Sequence, residues 1–152
     1  MDTTEEIRIK KVHTFLDLAV SAAVFAAGVG VYFILPGWGI LFCLVGVLLF
    51  AFYKRGVRRV GENVPLKENS MDLAPQCRSG IIDFLDGKTD NLELTKASEG
   101  DHLYLEAYFN AEQKLAYARL YDVAENRFEP ATRMKEIRGS RANTLISFFL
   151  AE

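Results

Sequence analysis

FILPGWGIL, residues 33–41, breaks the most apolar part of the chain with a turn signal that carries no charge. The apolar run continues on both sides, and residues 18–53 contain no Asp, Glu, Lys or Arg. As one helix, at about 1.5 Å per residue, that tract would be about 54 Å long, well beyond the ~30 Å hydrocarbon core of a bilayer. Proline and glycine together disfavour helix continuation. The tract therefore reads as two helices, 15–35 and 38–53, joined at Pro36, Gly37, Trp38 and Gly39 by a turn lying at one membrane surface. Tyr32 and Trp38 are aromatics of the kind enriched there. The second segment is short, and needs Lys54 and Arg55 to reach out to water or a locally thinned bilayer. The fold expected is an α-helical transmembrane hairpin of two spans.

Burying both helices in a soluble protein would need a core that wraps them on every side. The rest of this 152-residue chain is too small and too charged to provide one. A cleaved signal peptide is not expected either: the start MDTTEEIRIKK is partly acidic, and the apolar run is long and shows no evident cleavage site. Arg8, Lys10 and Lys11 precede the first segment, and Lys54, Arg55, Arg58 and Arg59 follow the second, whereas the turn is uncharged. The positive-inside rule then places both ends in the cytoplasm and the turn outside, in the inner (plasma) membrane of a bacterium. Lys54, Arg55, Arg58 and Arg59 are expected to meet anionic lipid headgroups. Cys43 in a span and Cys77 in the polar part are poor disulfide partners, which suits a reducing compartment.

Ala22, Ala26 and Gly30 recur every four residues and read as a span-packing face, with Ala19, Ala23 and Ala27 alongside. Gly39 and Cys43 offer a shorter stripe on the second span. Both packing within the hairpin and a homo-oligomer fit these stripes. Asp17 is the acid nearest membrane depth, and His13 lies four residues earlier on the same face. An intramembrane acid invites a transport role, but Asp17 sits about one turn from the polar end, within reach of Lys54 or Arg55. An anchoring pair is the expectation.

The organisation expected is a tail (1–13), a hairpin (14–55), a basic collar and linker (56–76) and a small α+β domain (77–152). GENVPLKENSMDLAPQ, polar with two prolines, reads as the linker. RSGIIDFLDG reads as a short helix ended by Gly87, with Ile81, Ile82 and Leu85 on one side. NLELTK and HLYLEAYF read as strands. The stretch 111–125 fits either helix or strand, and cross-strand register favours the strand. Folding 102–109 back on 116–123 through the loop AEQK sets Tyr108 opposite Tyr117, Glu106 opposite Arg119 and Tyr104 opposite Tyr121. The other face then gathers Leu105–Leu120, Ala107–Ala118 and Phe109–Ala116. RFEPATRMKEI adds an edge strand at Pro130. SRANTLISFFLAE reads as a closing helix or a last strand. The whole is a helix on an antiparallel β-meander.

Little catalytic chemistry is legible. There is no HExxH, CxxC, P-loop, GxGxxG or GxSxG, and no cofactor is expected. Cys77 with His102 is the one conceivable nucleophile pair, and structural zinc wants four ligands. Tyr104, Glu106, Tyr108, Tyr117, Arg119 and Tyr121 form the surface best suited to a protein partner, because tyrosine and arginine are enriched at binding hot spots. The acidic balance of 71–126 argues against nucleic acid. The expected function is a non-enzymatic, membrane-anchored adaptor or assembly subunit, binding lipid and either a protein partner or itself. An oligomeric channel or holin-like protein and a tethered enzyme using Cys77 or His102 are the alternatives.

Overall fold

The computed structural model describes residues 6–98, 100–125 and 127–151. The chain divides into two compact units, Ile9–Arg58 and the flanking residues up to Arg8 and from Arg59 onward.

The first unit runs strand, helix, helix, strand: β1 (Ile9–Val12), α1 (Phe15–Tyr32), α2 (Pro36–Phe52) and β2 (Gly56–Arg59), with β1 paired to β2. At about 1.5 Å per residue the helices are each about 26 Å long. By length and composition α1 could cross a membrane, and 17% of it is buried; α2, with 17 residues, is shorter and as apolar in character. The connection falls at residues 33–35, not at 36–39. Pro36, Gly37, Trp38 and Gly39 form the first turn of α2. Proline is well suited to that place, since its missing N–H would have had no partner there and its φ is already helical. Leu35 before it takes the extended conformation that proline imposes, with φ −134° and ψ 84°.

Thr14 caps α1 and forms a reciprocal box with Asp17. The Asp17 N–H donates to Thr14 Oγ1 at 3.2 Å and the Thr14 N–H donates to Asp17 Oδ2 at 2.9 Å. The same Oδ2 accepts the Arg55 N–H at 3.0 Å, and Arg55 Nε lies 3.8 Å from Oδ1. The anchoring pair is thus with Arg55, and it ties the start of α1 to the exit of α2. His13 turns elsewhere, stacking on Phe50 with ring centroids 5.2 Å apart.

The helix seam is built from other small residues than expected on α1. Asp17, Ser21 and Gly28 are buried, whereas Ala22, Ala26 and Gly30 lie exposed, about 100° round the helix. The polar pair decides the rotation: Asp17 needs the Arg55 backbone, and Ser21 donates to the Asp17 carbonyl at 2.8 Å. Neither can face an apolar surround unsatisfied. On α2 the seam is Gly39, half-buried Cys43 and Gly46. The backbones meet closely. A Cβ at Gly39 would stand 2.3 Å from Tyr32 Cα, at Gly28 2.7 Å from Cys43 N, and at Gly46 2.9 Å from Phe25 N, whereas at Gly30 nothing lies within 4 Å.

The second unit is α+β. A sheet in the order β3 (Lys67–Leu73), β4 (His102–Asn110), β5 (Leu115–Ala124), β6 (Arg127–Pro130) also carries β7 (Lys135–Arg138) on β5, and every pairing is antiparallel. The register of β4 on β5 is the expected one, with Tyr108 opposite Tyr117, Glu106 opposite Arg119 and Tyr104 opposite Tyr121. The stretch 111–125 is therefore turn and strand, not helix. Helices α3 (Arg78–Leu85) and α4 (Ser140–Leu150) complete the core: Ile81, Phe84, Leu85, Leu145, Ile146 and Phe149 join Leu105, Phe109 and Leu120. Strand alanines 107, 116 and 118, each 0% exposed, leave room for these rings.

Two expectations change here. The supposed linker contains β3, whose polar sequence KENSMDL sends only Met71 and Leu73 into the core. As the outer strand of the sheet it carries charges on its free side, which discourages wrong pairing. NLELTK forms no strand. Leu92 is buried, and the segment touches the sheet through a single bridge, Lys96 to Leu73, with Ala74 N–H donating to Thr95 O at 2.8 Å. Its place along the edge is taken by β3 on β4.

Gly39→Ala and Gly46→Ala are expected to loosen the hairpin by about 1–3 kcal/mol, the usual cost of overpacking, while Gly30→Ala leaves it unchanged. Unfolding of the purified protein in an SDS titration measures all three; equal effects would contradict this seam.

Candidate functional site

The sheet turns two different faces outward. One carries the helices. The other bears the tyrosines and arginine picked out above, and the register brings them into a single network. Glu106 is its centre: Tyr108 donates to Oε1 at 2.7 Å and Tyr121 to Oε2 at 3.2 Å. With both oxygens engaged, Glu106 forms no ion pair with Arg119, its cross-strand neighbour, among the described residues. Arg119 instead donates to the Tyr121 hydroxyl at 3.2 Å and lies over its ring, 5.8 Å from the centroid.

At one end of the face the aromatic surface is larger than expected. Phe128, 57% exposed, meets Tyr104 and Tyr121 edge-on at 5.4 and 6.3 Å, and those two rings stand 6.0 Å apart. Continuing the period-two alternation of RFEP across the turn would have shown it, since Phe128 pairs with Val123 on the tyrosine face. At the other end Tyr117 is not a surface residue. It is fully buried, donates to Glu62 at 3.1 Å and lies under the Arg59 guanidinium. Arg59 is bound in turn to Glu62 at 3.0 Å and Glu136 at 3.1 Å.

This removes Arg59 from the basic collar, because its charge is already used. Arg55 is exposed but likewise engaged, with Nε donating to the Tyr53 hydroxyl at 2.6 Å. Lys54 is exposed and Arg58 half-buried.

The titration of the face follows from its burial. Removal from water pushes the Tyr108 hydroxyl far above the usual phenol range, and the hydrogen bond to Glu106 adds to this. Tyr117 and Tyr121 are also raised, first by burial; for each an arginine, Arg59 or Arg119, partly offsets the shift. At the C-terminal end of α3, Asp86 is held low by its hydrogen bond to Lys135, at 2.9 Å.

Cys77 ends a short 3-10 turn, Pro75–Cys77, and packs against the core. His102 hydrogen-bonds the Gly100 carbonyl at 3.1 Å and lies 3.5 Å from Asp72. The two share no hydrogen bond among the described residues. No group of three metal-ligating side chains occurs among those residues.

Comparison with family models, with curated proteins and with solved structures found no match.

A phenol whose folded pKa is raised contributes stability below the unfolded pKa of about 10 that is lost as pH rises beyond it. Absorbance titration near 295 nm is expected to show some of the six tyrosines ionising above the normal range and together with loss of the folded domain. Tyr108→Phe reduces that late fraction. Ionisation of every tyrosine in the ordinary range would contradict the burial described.

Proposed function

We propose that this chain is a membrane-anchored adaptor or assembly subunit without catalytic activity of its own. Both helices of the hairpin cross the bilayer, both chain ends lie in the cytoplasm, and the α+β unit offers its aromatic face to a protein partner or a second copy. One observation supports the anchor above all. Of the large apolar residues exposed among the described ones, all but Val60, Phe128 and Leu150 lie within residues 15–53. An apolar surface of that extent is costly in water and is what lipid covers. The length of α2 is compatible with a span, because its flanks carry Tyr53, Lys54 and Arg55, able to settle at the headgroups. Lys54, which is exposed, is the cation offered to anionic lipid.

The partner-binding role rests on the Phe128–Tyr104–Tyr121 ledge beside Arg119, which has the composition of an interaction hot spot. Ala22, Ala26 and Gly30, left outside the seam, favour a second reading in which hairpins associate side by side, the arrangement a channel would need. Asp17 and Ser21, the buried polar side chains of the hairpin, sit at one end of it and give no polar path across.

The full-length protein is expected to stay with the membrane pellet after alkaline carbonate. With Cys43 and Cys77 replaced by serine, Ile34→Cys reacts with an impermeant maleimide from outside the cell. A soluble chain, or labelling only after lysis, contradicts the topology. A photo-crosslinking amino acid at Phe128 is expected to capture a discrete protein, either a partner or another copy. Crosslinks to lipid alone would end the adaptor reading.

A further inference from the structure

Beside the tyrosine network the α+β unit opens a cavity of about 340 Å³, with apolar walls from Ile7, Pro130 and Met134 and a polar side formed by Arg119, Thr132, Arg133 and Glu6. Three donors there are uncommitted to acids. The Arg119 Nε is shielded from solvent and has no hydrogen-bond partner, and the acid opposite it, Glu106, is taken up by Tyr108 and Tyr121. Arg133 is exposed, and no acidic partner of it occurs among the described residues. The Thr132 hydroxyl accepts the Leu120 N–H at 3.0 Å, which leaves its own O–H free to donate.

A half-buried guanidinium whose shielded Nε has no partner and whose Nη bonds a neutral phenol is incompletely satisfied, and an oxyanion satisfies it best, through paired charge-assisted hydrogen bonds. We propose that this cavity receives the side-chain carboxylate of a glutamate carried on an acidic segment of the partner protein. The inference rests on the adaptor reading and names the chemistry that the face selects. Two features favour a carboxylate on an alkyl stem over a phosphate. The walls of Ile7, Pro130 and Met134 suit methylene groups. Glu6, which lines the same cavity and lies 3.7 Å from Arg8, opposes a divalent anion more strongly than a monovalent one. With the carboxylate between Arg119 and Arg133, the flanking residues of the segment lie against Tyr121 and Phe128.

The test is an NMR titration of the full-length protein in detergent micelles, reading the Arg119 Nε–H and the backbone amides of Leu120 and Thr132. The probe is N-acetyl-glutamate N-methylamide, with the glutamine analogue and inorganic phosphate as controls. Saturable shifts with the glutamate compound are expected, at least tenfold weaker in Arg119→Gln and in Arg133→Gln. Arg133 is exposed, so its variant keeps the test valid should Arg119→Gln fail to fold. Absence of saturation, equal response to the glutamine analogue or to phosphate, or undiminished binding by Arg133→Gln overturns the proposal. Partner capture at Phe128 without glutamate binding would refute the carboxylate site alone. Glutamate binding without any captured protein would uphold the site and refute the adaptor reading.

Discussion

The Asp17 carboxylate fixes the hairpin on which the proposed anchor depends. One oxygen accepts both the Thr14 and the Arg55 N–H, joining the entry of the first helix to the exit of the second. Each of these bonds involves a charged acceptor in a poorly hydrated place, where such bonds are stronger than in water. They also determine which side of the first helix turns inward. Once Asp17 and Ser21 face the seam, Gly28 follows on the same side, and the glycines of the second helix let the backbones approach. The alanine row is turned outward as a result.

In the α+β unit the comparable constraint is the register of β4 on β5. It sorts alternate residues into an apolar layer under two helices and a polar aromatic layer on the opposite face. Shifting that pairing by one residue would set Leu105 opposite Tyr121 or Arg119 and invert one strand against the other, turning either Leu105 or Leu120 out of the core and driving Glu106 or Arg119 into it. The tyrosine network is thus a product of the same register that builds the core, and changes made in one layer are felt in the other.

How much of this was legible in the sequence varied with the type of signal. The β4–β5 hairpin was readable because aromatic, charged and apolar pairs all fell into place in one alignment. The bend in the apolar tract was visible too, but its position was not, since proline can break a helix or begin one; here Leu35 ends the connection and Pro36 begins α2. The seam on the first helix was not legible because small residues alone do not say which way a helix turns. Asp17 and Thr14 carried that information in their three-residue spacing. β3 was hidden by its edge position, where five of seven residues need not be buried. Tyr117 looked like its neighbours on the face, and only the distant residues Arg59, Glu62 and Glu136 set it apart. Contacts so far separated in sequence leave no local trace.

β5 bears two short strands on one flank, β7 against residues 115–118 and β6 against 121–124. Between them the chain leaves the ladder at Ala131 and Thr132, whose N–H groups both turn back to the Leu120 carbonyl. That margin is interrupted in the middle, and Pro130 contributes no amide beside the gap. With the proposed anchor, the chain is confined with its own copies at high local density, where an unbroken strand margin would template fibril growth. The notch between β6 and β7 denies it one.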